Sequence, residues 1–136
     1  MMTLKDYLAL PHRWQWSFCD CTFFPCDWVQ EATGRDPGAD WRGTYDDAAG
    51  AQALLDSYGG PERLAGFALE RLGFMRVQQP IDGDIGIVRA MTGFDADGAV
   101  VKDIPAIRFG PLWAVMSARG VQVKKLEFTG AAWRIA

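Results

Sequence analysis

The chain has 136 residues, close to half of them apolar and 12% aromatic, which is enough for one domain with a substantial core and excludes a disordered chain. Fourteen basic residues against seventeen acidic ones give a net charge of −3 with no basic run, which argues against a protein built to hold nucleic acid. No apolar run approaches the ~20 residues that cross a bilayer, and Met1–Leu10, charged at Lys5 and Asp6, lacks the long apolar stretch of a secretory signal.

The three cysteines, Cys19, Cys21 and Cys26, crowd into one short segment. An odd count at that spacing is a poor disulfide framework and fits a reduced environment or one reactive thiol. The first predicted helix covers Thr22–Thr33 and stops at Gly34. Its apolar stripe runs through Cys21, Phe24, Pro25, Trp28, Val29 and Ala32, the spacing of one helix face. Proline lacks the N–H that a helix interior needs, so Pro25 belongs to the first turn and the helix begins at Cys21 or Thr22.

A Gly-, Asp- and Pro-rich loop, Arg35–Tyr45, follows. A second helix runs from Asp47 as N-cap to Tyr58, closed by Gly59-Gly60, and a third starts with Pro61 and ends before Gly73. From Phe74 onward, short β-type runs alternate with turn signals. They predict strands at Phe74–Gln78, Ile85–Arg89, Ala106–Phe109, Leu112–Met116, Val121–Phe128 and Trp133–Ile135. Asp97-Gly98, Gly110-Pro111 and Arg119-Gly120 mark turns, and the slipped apolar phase within Val121–Phe128 predicts a bulge. Helices first and antiparallel strands second make the chain, residues 1–136, a single α+β domain.

The chemistry concentrates in Trp14-Gln15-Trp16-Ser17-Phe18-Cys19-Asp20-Cys21. A thiol at a helix N-terminus meets unpaired N–H groups that favour the thiolate and can steady an oxyanion. The same Cys21 lies on the apolar stripe, where a buried, inert cysteine is the plainer expectation. Cys19, Cys21 and Cys26 could instead contribute to a zinc or iron–sulfur site, although four ligands are usual and Cys26 lies about 140° around the helix from Cys21. Trp14 and Trp16 either line a groove beside Cys21 or pack the N-terminal segment.

Trp16-x-x-x-Asp20-Cys21 leading into a helix resembles the nucleophile segment of NlpC-type, papain-like cysteine peptidases. Pro80-Ile81-Asp82-Gly83-Asp84 resembles the turn through which that family enters its first barrel strand, and Ile107–Ile135 resembles its closing strands. Thr33–Pro37 and Trp41–Tyr45 are similar to a branch found in phages and prophages. The resemblance implies a papain-like fold, with N-terminal helices packed on an antiparallel, barrel-like sheet. It also implies Cys21 as nucleophile beside Asp20, acting on a peptidoglycan peptide, with a histidine as base on the strand after the Gly-Asp turn. That position falls on Asp103 or Ile104, and the chain's one histidine, His12, precedes the nucleophile. Asp103 and His12 are the remaining polar candidates. A missing base removes ~100- to 10,000-fold of rate. The function expected is therefore a peptidase-like component of a phage or prophage tail tip with a degenerate site. The alternative is an active cysteine peptidase or amidase using Cys21. No cofactor is expected. The expected partners are tail-tip proteins and peptidoglycan, and the expected location is the virion tail, or the cytoplasm for a chain not encoded by a phage.

Overall fold

The computed structural model describes residues 2–135, apart from the side chains of residues 93–95. Among the described residues four helices precede six strands. Helix α1, Leu4–Leu8, is opened by the Thr3 hydroxyl, which accepts from the Asp6 N–H at 3.1 Å. Helix α2, Phe23–Thr33, closes at Gly34, whose φ of 77° lets its N–H reach back to the Gln30 carbonyl. Asp47 caps α3, Ala48–Tyr58, through the Gly50 N–H at 2.7 Å. Pro61 opens α4, Pro61–Glu70, where its missing N–H costs nothing.

The strands are β1, Met75–Val77; β2, Ile85–Asp95; β3, Gly98–Phe109; β4, Leu112–Ser117; β5, Gly120–Lys124; and β6, Glu127–Arg134. They form one antiparallel sheet in the order β1-β6-β2-β3-β4-β5, so the last strand lies between the first two. The chain is thus α+β, as expected. Four strand assignments need correction. The segment Val121–Phe128 is two strands separated at Lys125-Leu126, so the slipped apolar phase marks a change of strand and not a bulge. The irregularities lie in β2 instead, between Gly86 and Val88 against β6 and between Met91 and Gly93 against β3. Trp133 belongs to β6, while Ile135 lies past its end. The β2–β3 pair also continues to Asp95↔Gly98, well beyond the last β2–β6 pair, Arg89↔Glu127.

Alternation along the strands sends side chains to two apolar clusters. Ile85, Ile87, Ile107, Ala114, Met116 and Trp133 meet Tyr7, Phe24, Trp28, Val29 and Leu69 from the helices. On the other face Val88, Ala90, Ile104, Ala106, Trp113 and Val115 gather with Leu126, Phe128 and Cys21. Trp113 and Trp133, 1% and 0% exposed, centre the two clusters. Gly86 admits Trp113: a Cβ there would stand 2.5 Å from the indole. Trp28 ties α2 to the sheet by donating its Nε1–H to the Gly83 carbonyl at 2.9 Å.

Candidate functional site

The segment before α2 folds into a tight turn. Gln15 and Cys19 exchange main-chain hydrogen bonds at 2.8 and 2.9 Å, and Ser17 between them takes a left-handed φ of 65°. A serine holds that costly conformation where its surroundings fix it on several sides. Ser17 is fully buried, donates its hydroxyl to the Trp41 carbonyl at 3.0 Å and accepts from the Thr44 N–H at 3.1 Å. Arg42 reinforces this union of the two loops, reaching Asp27 on α2 at 2.6 Å and Asp36 at 2.7 Å while lying over the Phe23 ring.

Asp20 is the centre of the arrangement and is 1% exposed. One carboxylate oxygen accepts from the Thr22 and Phe23 N–H groups at 3.0 and 2.9 Å, and the other accepts from the Ser17 N–H at 3.0 Å and from the Tyr45 hydroxyl. The Thr22 and Phe23 amides belong to the mouth of α2. Two of the donors that could have favoured a thiolate or an oxyanion are therefore engaged by a carboxylate.

Cys21 sits two residues before the first helical residue, half-buried against the cluster of Ile104 and Trp113. Burial first, and then the Asp20 charge, push its thiol up to about 11, against weaker opposing effects of the Thr22 hydroxyl, the Cys21 backbone N–H and Lys102. At pH 7 the thiol is therefore overwhelmingly protonated. Cys26 on α2 is also pushed up by burial, as is Cys19, with Asp27 adding to the shift of Cys19.

The other expected site residues are dispersed. His12 packs on Tyr7 and Phe24, with ring centroids 4.7 and 5.0 Å away, and its Nε2–H donates to the Tyr7 carbonyl at 2.6 Å. It thus packs on residues of the helix-side cluster, whereas Cys21 joins the other one. Asp103 lies on the opposite face of β3 from Ile104 and pairs with Arg89 at 3.1 Å, across the strand register. Ile104, 7% exposed, is the neighbour of Asp103 that joins the cluster containing Cys21. Trp14 packs against the helix-side core and meets Trp16 edge to face at 5.0 Å, and Trp16 in turn approaches Tyr45. Both indoles therefore brace the turn that carries Asp20. Among the described residues no three His, Cys, Asp or Glu side chains come together as a metal set.

The Gly-Asp turn holds a second buried carboxylate. Asp84, 1% exposed, takes Arg134 Nε at 2.9 and 3.1 Å and the Ile81 N–H at 2.9 Å. It locks the end of β6 to the entrance of β2.

A family model described as a domain of unknown function, DUF6950, matches residues 2–135. The chain belongs to the DUF6950 family. No curated protein and no solved structure matches it. In this DUF6950 domain the residues that sequence reasoning left without a role are Ser17 and Tyr45. Tyr45 meets Asp20 from 25 positions away, so no local spacing announces the pair. Ser17 carries no composition signal for its left-handed backbone. No helix among the described residues is long and apolar enough to cross a membrane.

Proposed function

We propose that this DUF6950 domain is a peptidase-like, non-catalytic component of a phage or prophage tail tip, built on an NlpC-type papain-like fold. One observation supports a non-catalytic reading: the Asp20 carboxylate occupies the Thr22 and Phe23 amides at the mouth of α2, beside a Cys21 thiol raised to about 11. A nucleophilic cysteine needs the reverse, a depressed pKa from helix amides and an adjacent base. Ile104, one of the two positions to which the family resemblance assigns the base, adds an apolar side chain to the cluster around Cys21. Retention of the surrounding hydrogen-bond framework without that chemistry fits a scaffold that presents a surface to neighbouring proteins.

The test has two parts. Peptide-level alkylation of Cys21 by iodoacetamide at neutral pH should run slower than that of a free thiol, and peptidoglycan fragments should stay intact. Cleavage that disappears in Cys21→Ala would establish the active-peptidase alternative instead. Tail-tip proteins encoded beside the gene should retain the domain in co-purification. A stable monomer that joins none of them would remove the assembly role.

A further inference from the structure

The ribbon of β2 and β3 carries a free edge. Arg108 turns its main chain to the β2 side: its N–H donates to the Asp84 carbonyl and its carbonyl accepts from the Gly83 N–H, both at 2.9 Å. Main-chain groups alternate in direction along an antiparallel strand, so even-numbered residues of β3 bond toward β2 and odd-numbered ones face the other edge. The irregularity between Met91 and Gly93 lies in β2, which leaves this phase of β3 unbroken. Pro105 falls in the outward set, where its missing N–H costs no bond to β2. Strand β4 covers the outer edge only at Ile107–Phe109. From Ala99 to Pro105, no main-chain bond to anything but β2 is found among the described residues. The N–H and C=O groups of Ala99, Val101 and Asp103 therefore point outward without a main-chain partner.

The surface beside this edge agrees that it is open. Val101, Lys102 and Asp103 line one cleft in succession, although alternate side chains turn to opposite faces, so the cleft meets β3 along its edge. The same ribbon carries an exposed apolar pair. Met91 and Val101 are partners across the ladder, and each is 54% exposed. An uncovered strand edge with apolar side chains is a template for another strand.

We propose that the outer edge of β3 pairs antiparallel with the same edge of a second copy of this chain, about a two-fold axis at Val101. An axis perpendicular to the sheet keeps each face on its own side and must pass beside one residue and its own counterpart. With Val101 there, the exposed pairs of the two copies join into one row, Met91 and Val101 of the first against Val101 and Met91 of the second. Asp103 then opposes Ala99 of the second copy and Lys102 opposes Val100, so no like charges meet. An axis at Lys102 or Asp103 sets identical charges directly opposite, which is destabilising. An axis at Ala99 or Val100 separates the two apolar pairs. The strand is thus complementary to itself in one register. The inference is independent of the role assigned to Cys21.

Sedimentation of the whole chain across a concentration series should show monomer passing to dimer, a doubling of mass. Val101→Lys and Val101→Glu should each stay monomeric, because like charges meet at the axis. Mixed in equal amounts, the two variants should associate, an ammonium now facing a carboxylate. A natural chain that stays monomeric throughout, a dimer that either variant leaves intact, or a mixture that stays monomeric would overturn the proposal. Should either variant fail to fold, amide exchange in the natural chain decides. Exchange at the Val101 and Asp103 amides should slow as concentration rises, while that at Arg108, bonded within the chain, should not. Val101 and Asp103 amides indifferent to concentration would refute the paired edge.

Discussion

Asp20→Asn and Asp20→Ala test the framework most directly. The natural carboxylate receives three main-chain N–H groups and one phenol at a site 1% exposed. Alanine strands all four donors. A hydrogen bond to a charged group contributes ~1.5–3 kcal/mol and an abandoned buried donor costs ~1–3, so after partial relaxation the loss is about 4 kcal/mol. That is a large fraction of the ~5–15 kcal/mol that a domain has in total. Asparagine keeps one oxygen for the Thr22 and Phe23 amides, and its NH₂ can donate to a reversed Tyr45 hydroxyl. The NH₂ faces the Ser17 N–H, however, donor against donor, so a loss of about 2 kcal/mol is expected. Urea unfolding followed by tryptophan fluorescence gives both numbers. Removing the charge also lowers the Cys21 pKa from about 11 toward its ordinary value, because the Asp20 charge is the second cause of the shift. Alkylation rates of Cys21 against pH should move to lower pH in Asp20→Asn. Losses within about 0.5 kcal/mol for both variants, the range of ordinary surface substitutions, would refute the lock. A Cys21 profile that stays in place or moves upward would refute the electrostatic account.

Arg134→Ala should cost about 3–5 kcal/mol in urea unfolding, because it leaves the buried Asp84 carboxylate without its cation. Gly86→Ala should cost at least ~1–3 kcal/mol, since the new Cβ meets the Trp113 indole in a packed interior, and Trp113→Leu should recover part of the loss in the double variant. Stability should fall as pH rises above about 9. Cys21, Cys26, Tyr7 and Tyr45 have folded pKa values above their ordinary ones, so the unfolded chain releases protons that the folded chain retains, at ~1.4 kcal/mol per pH unit per group. A Cys21→Ala/Cys26→Ala variant measured in reductant should show a shallower decline between pH 9 and about 11. Ile104→His places an imidazole in the cluster that holds Cys21. If the resemblance assigns that position correctly, alkylation of Cys21 at neutral pH rises about tenfold or more.

The helices were legible because their boundaries are written locally: Pro25 and Pro61 near first turns, Asp47 as a cap, and Gly34 and Gly59 as left-handed stops. Helix α1 escaped because five residues are too few for a periodicity, although Thr3 followed by Asp6 carried a capping signal. Strand ends were less legible. The pairing of β2 with β3 outlasts that of β2 with β6, and an isolated two-stranded ribbon has no buried face to impose alternation on its residues. The split between β5 and β6 was misread for a related reason: a chain changing neighbours and a chain with one extra residue produce the same slip in apolar phase.

The site poses a different problem, because the sequence names the right residues and not their duties. Asp20-Cys21 reads as chemistry and Gly83-Asp84 as a turn, and both prove to contain a carboxylate buried to 1% that accepts from main-chain amides. One aligns the mouth of α2 with the 36–45 loop, and the other joins the end of β6 to the start of β2. Trp28 on α2 donates to Gly83, which couples the two turns through a single side chain. A catalytic site would impose a further demand, a base facing the sulfur, and at Ile104 and Asp103 the chain supplies an apolar side chain and a carboxylate turned to the opposite face. Geometry of this kind can persist without catalysis because the carboxylates hold the fold. Replacing Cys21 should therefore leave Asp20 and its four donors intact, whereas replacing Asp20 should loosen the turn, the helix mouth and Tyr45 together.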